Sequence, residues 1–75
     1  MRIVYALVYF DGGMFRIYAL EHQAKEELWR SYQEDHLAHR TPEWREQYEA
    51  IDRNTLNESG YIEDYGWIEP IYFVE

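Results

Sequence analysis

The sequence predicts an α+β fold, a two-layer sandwich in which two helices lie on one face of a three- or four-stranded, mainly antiparallel sheet. Three observations predict it: apolar strand patterns flank Asp11-Gly12-Gly13, two amphipathic helical patterns follow, and a strand pattern returns at the C-terminal end. The element order is β-β-α-α-β, with a short additional β-strand as the alternative. Packing both helices on one sheet face is the simplest way to bury their apolar sides. We expect residues 1–75 to form a single compact α+β domain.

The first two strands form a predicted β-hairpin. Gly12 and Gly13 can adopt the positive φ angles that a tight hairpin turn requires. The first strand, 2–10, is apolar on both sides, which favours a central position in the sheet. The second strand, about 14–20, carries Arg16 on one side, and we expect that side to meet solvent or a partner.

Two helices are predicted next. Residues 22–40 place Ala24, Leu28 and Tyr32 on one face. Thr41-Pro42 then predicts the start of a second helix, because threonine can cap the helix and proline suits its first turn. This helix is expected over 42–56, and residues 54–60 have loop composition. Its predicted packing stripe consists of Trp44, Tyr48, Ile51 and Thr55.

The C-terminal segment alternates again. Residues 61–63 and 67–74 are expected to form either a short hairpin or one irregular strand leading into a regular one. Pro70 places this stretch at an edge or a bulge, because proline cannot donate a ladder hydrogen bond. We expect the last strand to pair beside the first, in the order 2-1-3. One sheet face then stays uncovered by helices and is available to a second copy or to a partner.

The charge is strongly acidic, with a formal net charge of −8 from 15 acidic and 7 basic residues. Residues 41–75 hold nine acids and two bases, which places −7 of the total in this half. Direct binding to nucleic acid is disfavoured, and a basic surface on a partner protein is the natural complement. The candidate partner-binding acids are Glu43, Glu46, Glu49, Asp52, Glu63, Asp64 and Glu69. The alternative is that these acids only solubilise the protein.

Aromatic residues give a second indication of binding, because tyrosine and tryptophan often anchor interfaces. The expected partner or dimer face consists of Tyr5, Tyr9, Tyr18, Tyr65, Trp67 and Tyr72. The alternative is that several of these rings cover the edges of the core, with their hydroxyl groups in water.

No motif specifies a reaction, and we expect neither an enzyme nor a cofactor. Asp35, His36 and His39 are weak candidates for a metal site, because helical spacing can bring them together. The alternative is that these residues form the polar rim of the core at the end of a helix.

The sequence therefore predicts a small acidic protein-binding module. We expect an inhibitor or regulator that occupies a basic, nucleic-acid-binding surface of a partner protein, of the kind that phages use against host defence enzymes. The alternative is a structural or assembly subunit that homo-oligomerises through an aromatic sheet face, and a remote alternative is a metal-dependent enzyme using His36 and His39. The absence of cysteine, and of any signal peptide or membrane span that we can recognise, predicts a cytoplasmic protein, or one in the host cytoplasm if a phage encodes it.

Overall fold

The computed structural model describes residues 2–12 and 16–74 and contains a four-stranded antiparallel sheet with two helices. The strands are β1 (Arg2–Tyr9), β2 (Arg16–Tyr18), β3 (Tyr61–Ile62) and β4 (Gly66–Phe73). The helices are α1 (Glu21–Asp35) and α2 (Pro42–Ser59), with a 3₁₀ turn at Leu37–His39 between them. The predicted α+β fold is confirmed, and the additional strand is β3. Predictions for residues 13–15 lie outside the described residues.

The sheet order is β2-β1-β4-β3. β4 pairs with β1 along its whole length, from Arg2 opposite Phe73 to Tyr9 opposite Gly66. This confirms that β1 is central and that the last long strand lies beside it. β3 pairs only with the first two residues of β4, so Pro70 lies where the outer edge of β4 has no partner strand among the described residues.

The helices lie on the face of β1 that carries its odd-numbered side chains. The hydroxyl groups of Tyr9 and Ser31 in α1 are hydrogen bonded at 2.9 Å, and a Cβ added at Gly66 would lie 3.1 Å from Leu28 Cδ1. α1 packs on β1, β2 and β4, whereas α2 packs chiefly on α1 and β3. The buried core cluster consists of Leu7, Leu28, Tyr32, Leu37, Leu56, Ile62 and Tyr65.

Both predicted helix ends need correction. The first helix ends at Asp35 instead of residue 40, and the chain continues as a 3₁₀ turn that buries Leu37. The second begins as predicted, with Thr41 Oγ1 accepting a hydrogen bond from the Trp44 amide at 3.2 Å. It continues to Ser59, so the predicted loop over 54–60 is wrong for all but its last residue. The buried Leu56 holds the last turns in place, and Gly60 ends the helix with a φ of 74°.

The predicted packing stripe of α2 is also wrong in part. Tyr48 and Ile51 are exposed, with 38% and 58% of their surface accessible. The side that faces α1 instead includes Asp52, which accepts a hydrogen bond from the Tyr32 hydroxyl at 2.5 Å. Arg53 lies over the Trp29 ring at 5.2 Å from its centroid. The packed side of this helix thus combines Leu56 and Trp44 with polar residues, and an apolar periodicity does not detect the polar ones.

The Arg16 side of β2 lies on the helix side of the sheet, but Arg16 itself is exposed to solvent, as predicted. Arg16 lies opposite Leu7 in the register, and its guanidinium is 4.0 Å from the Glu27 carboxylate in α1. Because β2 is an edge strand, the long side chain reaches around the end of the layer and keeps its charge in water.

Within the described ranges, no helix is long and apolar enough to cross a membrane.

Candidate acidic and aromatic cleft

An open cleft of about 520 Å³ lies at the end of the sheet where β1 finishes. Three parts of the chain form it: the end of β1 with the residues after it, the C-terminal end of α1, and the turn between β3 and β4. The lining residues are Tyr9, Phe10, Asp11, Asp35, His36, Asp64 and Tyr65. The structure thus brings two predicted aromatic residues, one predicted acid and two weak metal candidates to one place.

The turn between β3 and β4 is held by backbone hydrogen bonds. The Tyr65 amide donates to the Ile62 carbonyl at 3.1 Å, and the Phe10 amide donates to the Tyr65 carbonyl at 2.7 Å. Asp64 has a φ of 59°, a left-handed conformation that aspartate and asparagine tolerate better than most residues. The turn therefore fixes Asp64 beside the end of β1.

Tyr65 forms the floor of the cleft. Its ring lies edge-on to Tyr9, Tyr32 and His36, with centroid distances of 5.6, 5.2 and 5.1 Å. Its hydroxyl donates to Asp35 Oδ2 at 2.8 Å. Burial, together with the negative charge of Asp35, raises the pKa of the Tyr65 hydroxyl well above its usual range. The hydroxyl therefore keeps its proton at neutral pH and remains a donor to Asp35.

The rim of the cleft combines carboxylates with an exposed ring. Asp11, Asp35 and Asp64 line it, and Phe10 has 65% of its surface accessible. Carboxylates attract a cation, and aromatic faces add a cation–π contribution of about 0.5–1 kcal/mol at exposed sites. This combination suits the guanidinium or ammonium group of a basic side chain.

The seven predicted partner-binding acids do not form one surface. Glu43 and Glu46 are exposed on α2 and Glu49 is half-buried, whereas Asp52 faces α1 and bonds Tyr32. The prediction that Asp52 belongs to a partner surface conflicts with this contact. On a helix with 3.6 residues per turn, each step of three residues rotates the side-chain direction back by about 60°. The row of acids on α2 that begins at Glu43 and ends at Asp52 therefore winds from the solvent side of the helix to its packed side.

The remaining acids lie on the sheet layer. Glu63 and Asp64 are exposed in the turn between β3 and β4. Glu69 lies opposite Ala6 in the register, on the sheet face that points away from the helices.

The six residues of the predicted aromatic face lie on more than one surface. Tyr5, Tyr9, Tyr18 and Tyr72 share the helix side of the sheet according to the register. Trp67 lies on the opposite side, facing away from the helices. Tyr65 is buried, with 8% of its surface accessible, because the turn after β3 folds its ring against α1. Tyr9 and Tyr18 also pack against the core.

No group of three histidine or acidic side chains in the described part of the chain could hold a metal ion. Asp35 accepts the Tyr65 hydrogen bond, and the His36 ring stacks on Tyr32 at 5.5 Å between centroids. These contacts agree with the alternative that the residues form the polar rim of the core.

Sequence reasoning did not single out Phe10 and Asp11 as site residues. The sequence pattern places both in the hairpin, Phe10 in its first strand and Asp11 in its turn. The only sequence feature that marks them is an apolar residue next to a turn, followed directly by an acid. This feature becomes part of a cleft only because the turn at Asp64 and Tyr65, which is distant in sequence, packs beside it.

Comparison of the chain with protein families, curated proteins and solved structures finds no match in any of the three.

Proposed function

We propose that this protein is a non-enzymatic binding module that captures a basic surface of a partner protein. The observation that carries the proposal is the cleft, which is lined by Asp35, Asp64 and the exposed Phe10. An arginine or lysine side chain that enters it meets carboxylates and an aromatic face together. Arginine suits this site better than lysine, because its planar guanidinium can stack on a ring while it bonds a carboxylate.

The charge of the rest of the molecule supports the same partner class. A net charge of −8 attracts a basic surface over several ångströms and speeds encounter at low salt. Glu63, next to the cleft in sequence, and the exposed Glu43 and Glu46 of α2 add to this field. The cleft supplies the specific contact, and the surrounding acids supply long-range attraction.

The class of partner follows from this chemistry. Arginine-rich protein surfaces commonly bind nucleic-acid phosphates, and a compact acidic protein that occupies such a surface excludes the nucleic acid. The proposed role is therefore an inhibitor or regulator of a nucleic-acid-binding protein, acting in the cytoplasm. The absence of cysteine agrees with a reducing compartment.

Fluorescence anisotropy with a labelled nona-arginine peptide tests the proposal. Asp64→Asn is the informative variant, because asparagine also tolerates the left-handed backbone at this position. Glu58→Gln is the matched control, since it removes one charge from an exposed position that does not line the cleft.

The expected result is that Asp64→Asn weakens binding about three- to fivefold, whereas Glu58→Gln weakens it less than about twofold, because an exposed ion pair contributes about 0.2–1 kcal/mol. Binding should also weaken between 50 and 300 mM NaCl. Equal effects of the two variants would show that only diffuse charge attracts the peptide. That result, or no binding at low salt, would overturn the proposed cleft.

A further inference from the structure

The sheet face that points away from the helices is apolar and lacks a helix layer in the described structure. The register places Val4, Ala6 and Val8 of β1 on this side, with Ile17 of β2 opposite Ala6. None of them belongs to the core cluster between sheet and helices, although Val4 and Ala6 have only 8% and 4% of their surface accessible. We define the open face by its large exposed side chains, which are Ile17, Tyr61, Trp67 and Phe73.

We propose that the open face is the interface between two copies of this chain, packed face to face about a two-fold axis. This inference is independent of the proposed cleft, which is formed by other residues. It rests on the charge of the face, on its apolar area, and on the outer edge of β4, which is poorly suited to pairing with a strand of another copy.

The charge of the open face differs from that of the molecule. Arg2 lies opposite Phe73 and Glu69 lies opposite Ala6, so the formal charges of the described strand residues on this face cancel while the whole chain carries −8. A basic partner gains little from a neutral face and is drawn to the acidic surfaces. Each copy contributes one Arg2 and one Glu69, so the contact as a whole carries no net charge from them, and a two-fold axis that lies between these residues would pair Arg2 of one copy with Glu69 of the other.

The apolar area comes close to what a dimer needs. Between 37% and 54% of the surface is accessible for the four side chains that define the open face. A whole aromatic side chain has roughly 150–250 Å² of surface, so the accessible parts of these four side chains together amount to on the order of 400 Å². A standard interface takes about 800 Å² from each partner, and about 56–65% of that area is apolar. The half-buried Val8 and Ile71 on the same face supply part of the remainder.

The outer edge of β4 offers a poorer contact. The Ile68 amide points outward and donates to the Gly60 carbonyl at 2.6 Å, and the next outward-pointing position along the strand is Pro70. Proline has no amide hydrogen to donate, so it interrupts the row of groups that a second strand would need. Association through the face avoids this defect.

Sedimentation equilibrium over about 5–200 µM tests the proposal, with a matched pair of variants on β4. Phe73→Glu places a charge on the open face, whereas Tyr72→Glu makes a similar change at the neighbouring residue on the other side of the sheet. The two positions are comparably exposed, at 48% and 59%. The wild-type protein and Tyr72→Glu should reach twice the 9.3 kDa chain mass at high concentration. Phe73→Glu should stay at 9.3 kDa.

Salt gives a second readout. Two copies of charge −8 repel each other at long range, so screening should tighten the dimer between 50 and 300 mM NaCl. This is opposite in sign to the salt effect on the arginine peptide. If Phe73→Glu fails to fold by circular dichroism, Ile17→Gln at the exposed edge strand replaces it, with loss of the dimer expected. A monomeric wild-type protein at 200 µM would overturn the proposal, as would a dimer that the open-face variants leave intact or that Tyr72→Glu also dissociates.

Discussion

The hydrogen bond between Tyr32 and Asp52 is a strong test of how α2 packs. Tyr32 has 4% of its surface accessible, and its hydroxyl donates to Asp52 Oδ2 at 2.5 Å. Burial and the adjacent carboxylate raise the pKa of Tyr32 well above its usual range, so the hydroxyl stays protonated. Asp52→Ala leaves this buried donor without its partner.

The expected loss can be estimated from the chemistry of the bond. A hydrogen bond to a charged group contributes about 1.5–3 kcal/mol, and an unsatisfied buried donor costs about 1–3 kcal/mol. Alanine returns up to about 0.7 kcal/mol through its higher helix propensity. We therefore expect Asp52→Ala to lower the free energy of unfolding by about 1–2.5 kcal/mol.

Urea denaturation followed by circular dichroism at 222 nm measures this loss, and a double-mutant cycle with Tyr32→Phe isolates the pair. The coupling energy should be about 1–2 kcal/mol, because each single change removes the same bond. Glu46→Ala is the control on the exposed side of α2 and should change stability by less than about 0.5 kcal/mol. If Asp52→Ala is as mild as the control and the coupling is zero, Asp52 is solvated and the described orientation of α2 is wrong.

Three further predictions test other parts of the fold. Gly66→Ala should destabilise the protein by about 1–3 kcal/mol in the same urea assay, because the added Cβ would lie 2.7 Å from the Val8 carbonyl oxygen; unchanged stability would contradict this close approach. Thr41→Ala should cost about 1 kcal/mol by removing the cap of α2, whereas Thr41→Ser should retain most of it; equal losses would contradict the capping role. Tyr32 and Tyr65 have raised pKa values in the folded protein, so folding favours their protonated form. Their contribution to the free energy of unfolding is fully present below about pH 10, where unfolded tyrosine is also protonated, and should be lost as the pH rises above 10. Unfolding free energies from pH 8 to 11 should show this decline and a flatter profile when both are changed to Phe; identical profiles would refute it.

Local signals in the sequence predicted much of the fold. The two-sided apolar pattern of residues 2–10 identified the central strand, and Thr41-Pro42 identified the start of α2. The pairing of the last long strand beside the first followed from the order of the elements. These features depend on residues close together in sequence, or on topology with few alternatives.

The features that the sequence did not predict depend on contacts between distant residues. Asp52 had the appearance of a surface acid, but its partner Tyr32 lies 20 residues away on another helix. Tyr65 had the appearance of an exposed aromatic residue, but the turn after β3 packs it against α1. The cleft was missed for the same reason, because its carboxylates come from three separate elements.

The most direct test of the central claim is a nuclear magnetic resonance titration of ¹⁵N-labelled protein with the nona-arginine peptide. If the cleft holds a basic side chain, the largest amide shifts should occur at Phe10, Asp64 and Tyr65, and Asp64→Asn should reduce them. Shifts centred on Glu43 and Glu46 of α2 instead, or spread evenly over the acidic surface, would contradict the claim that this cleft is the binding site.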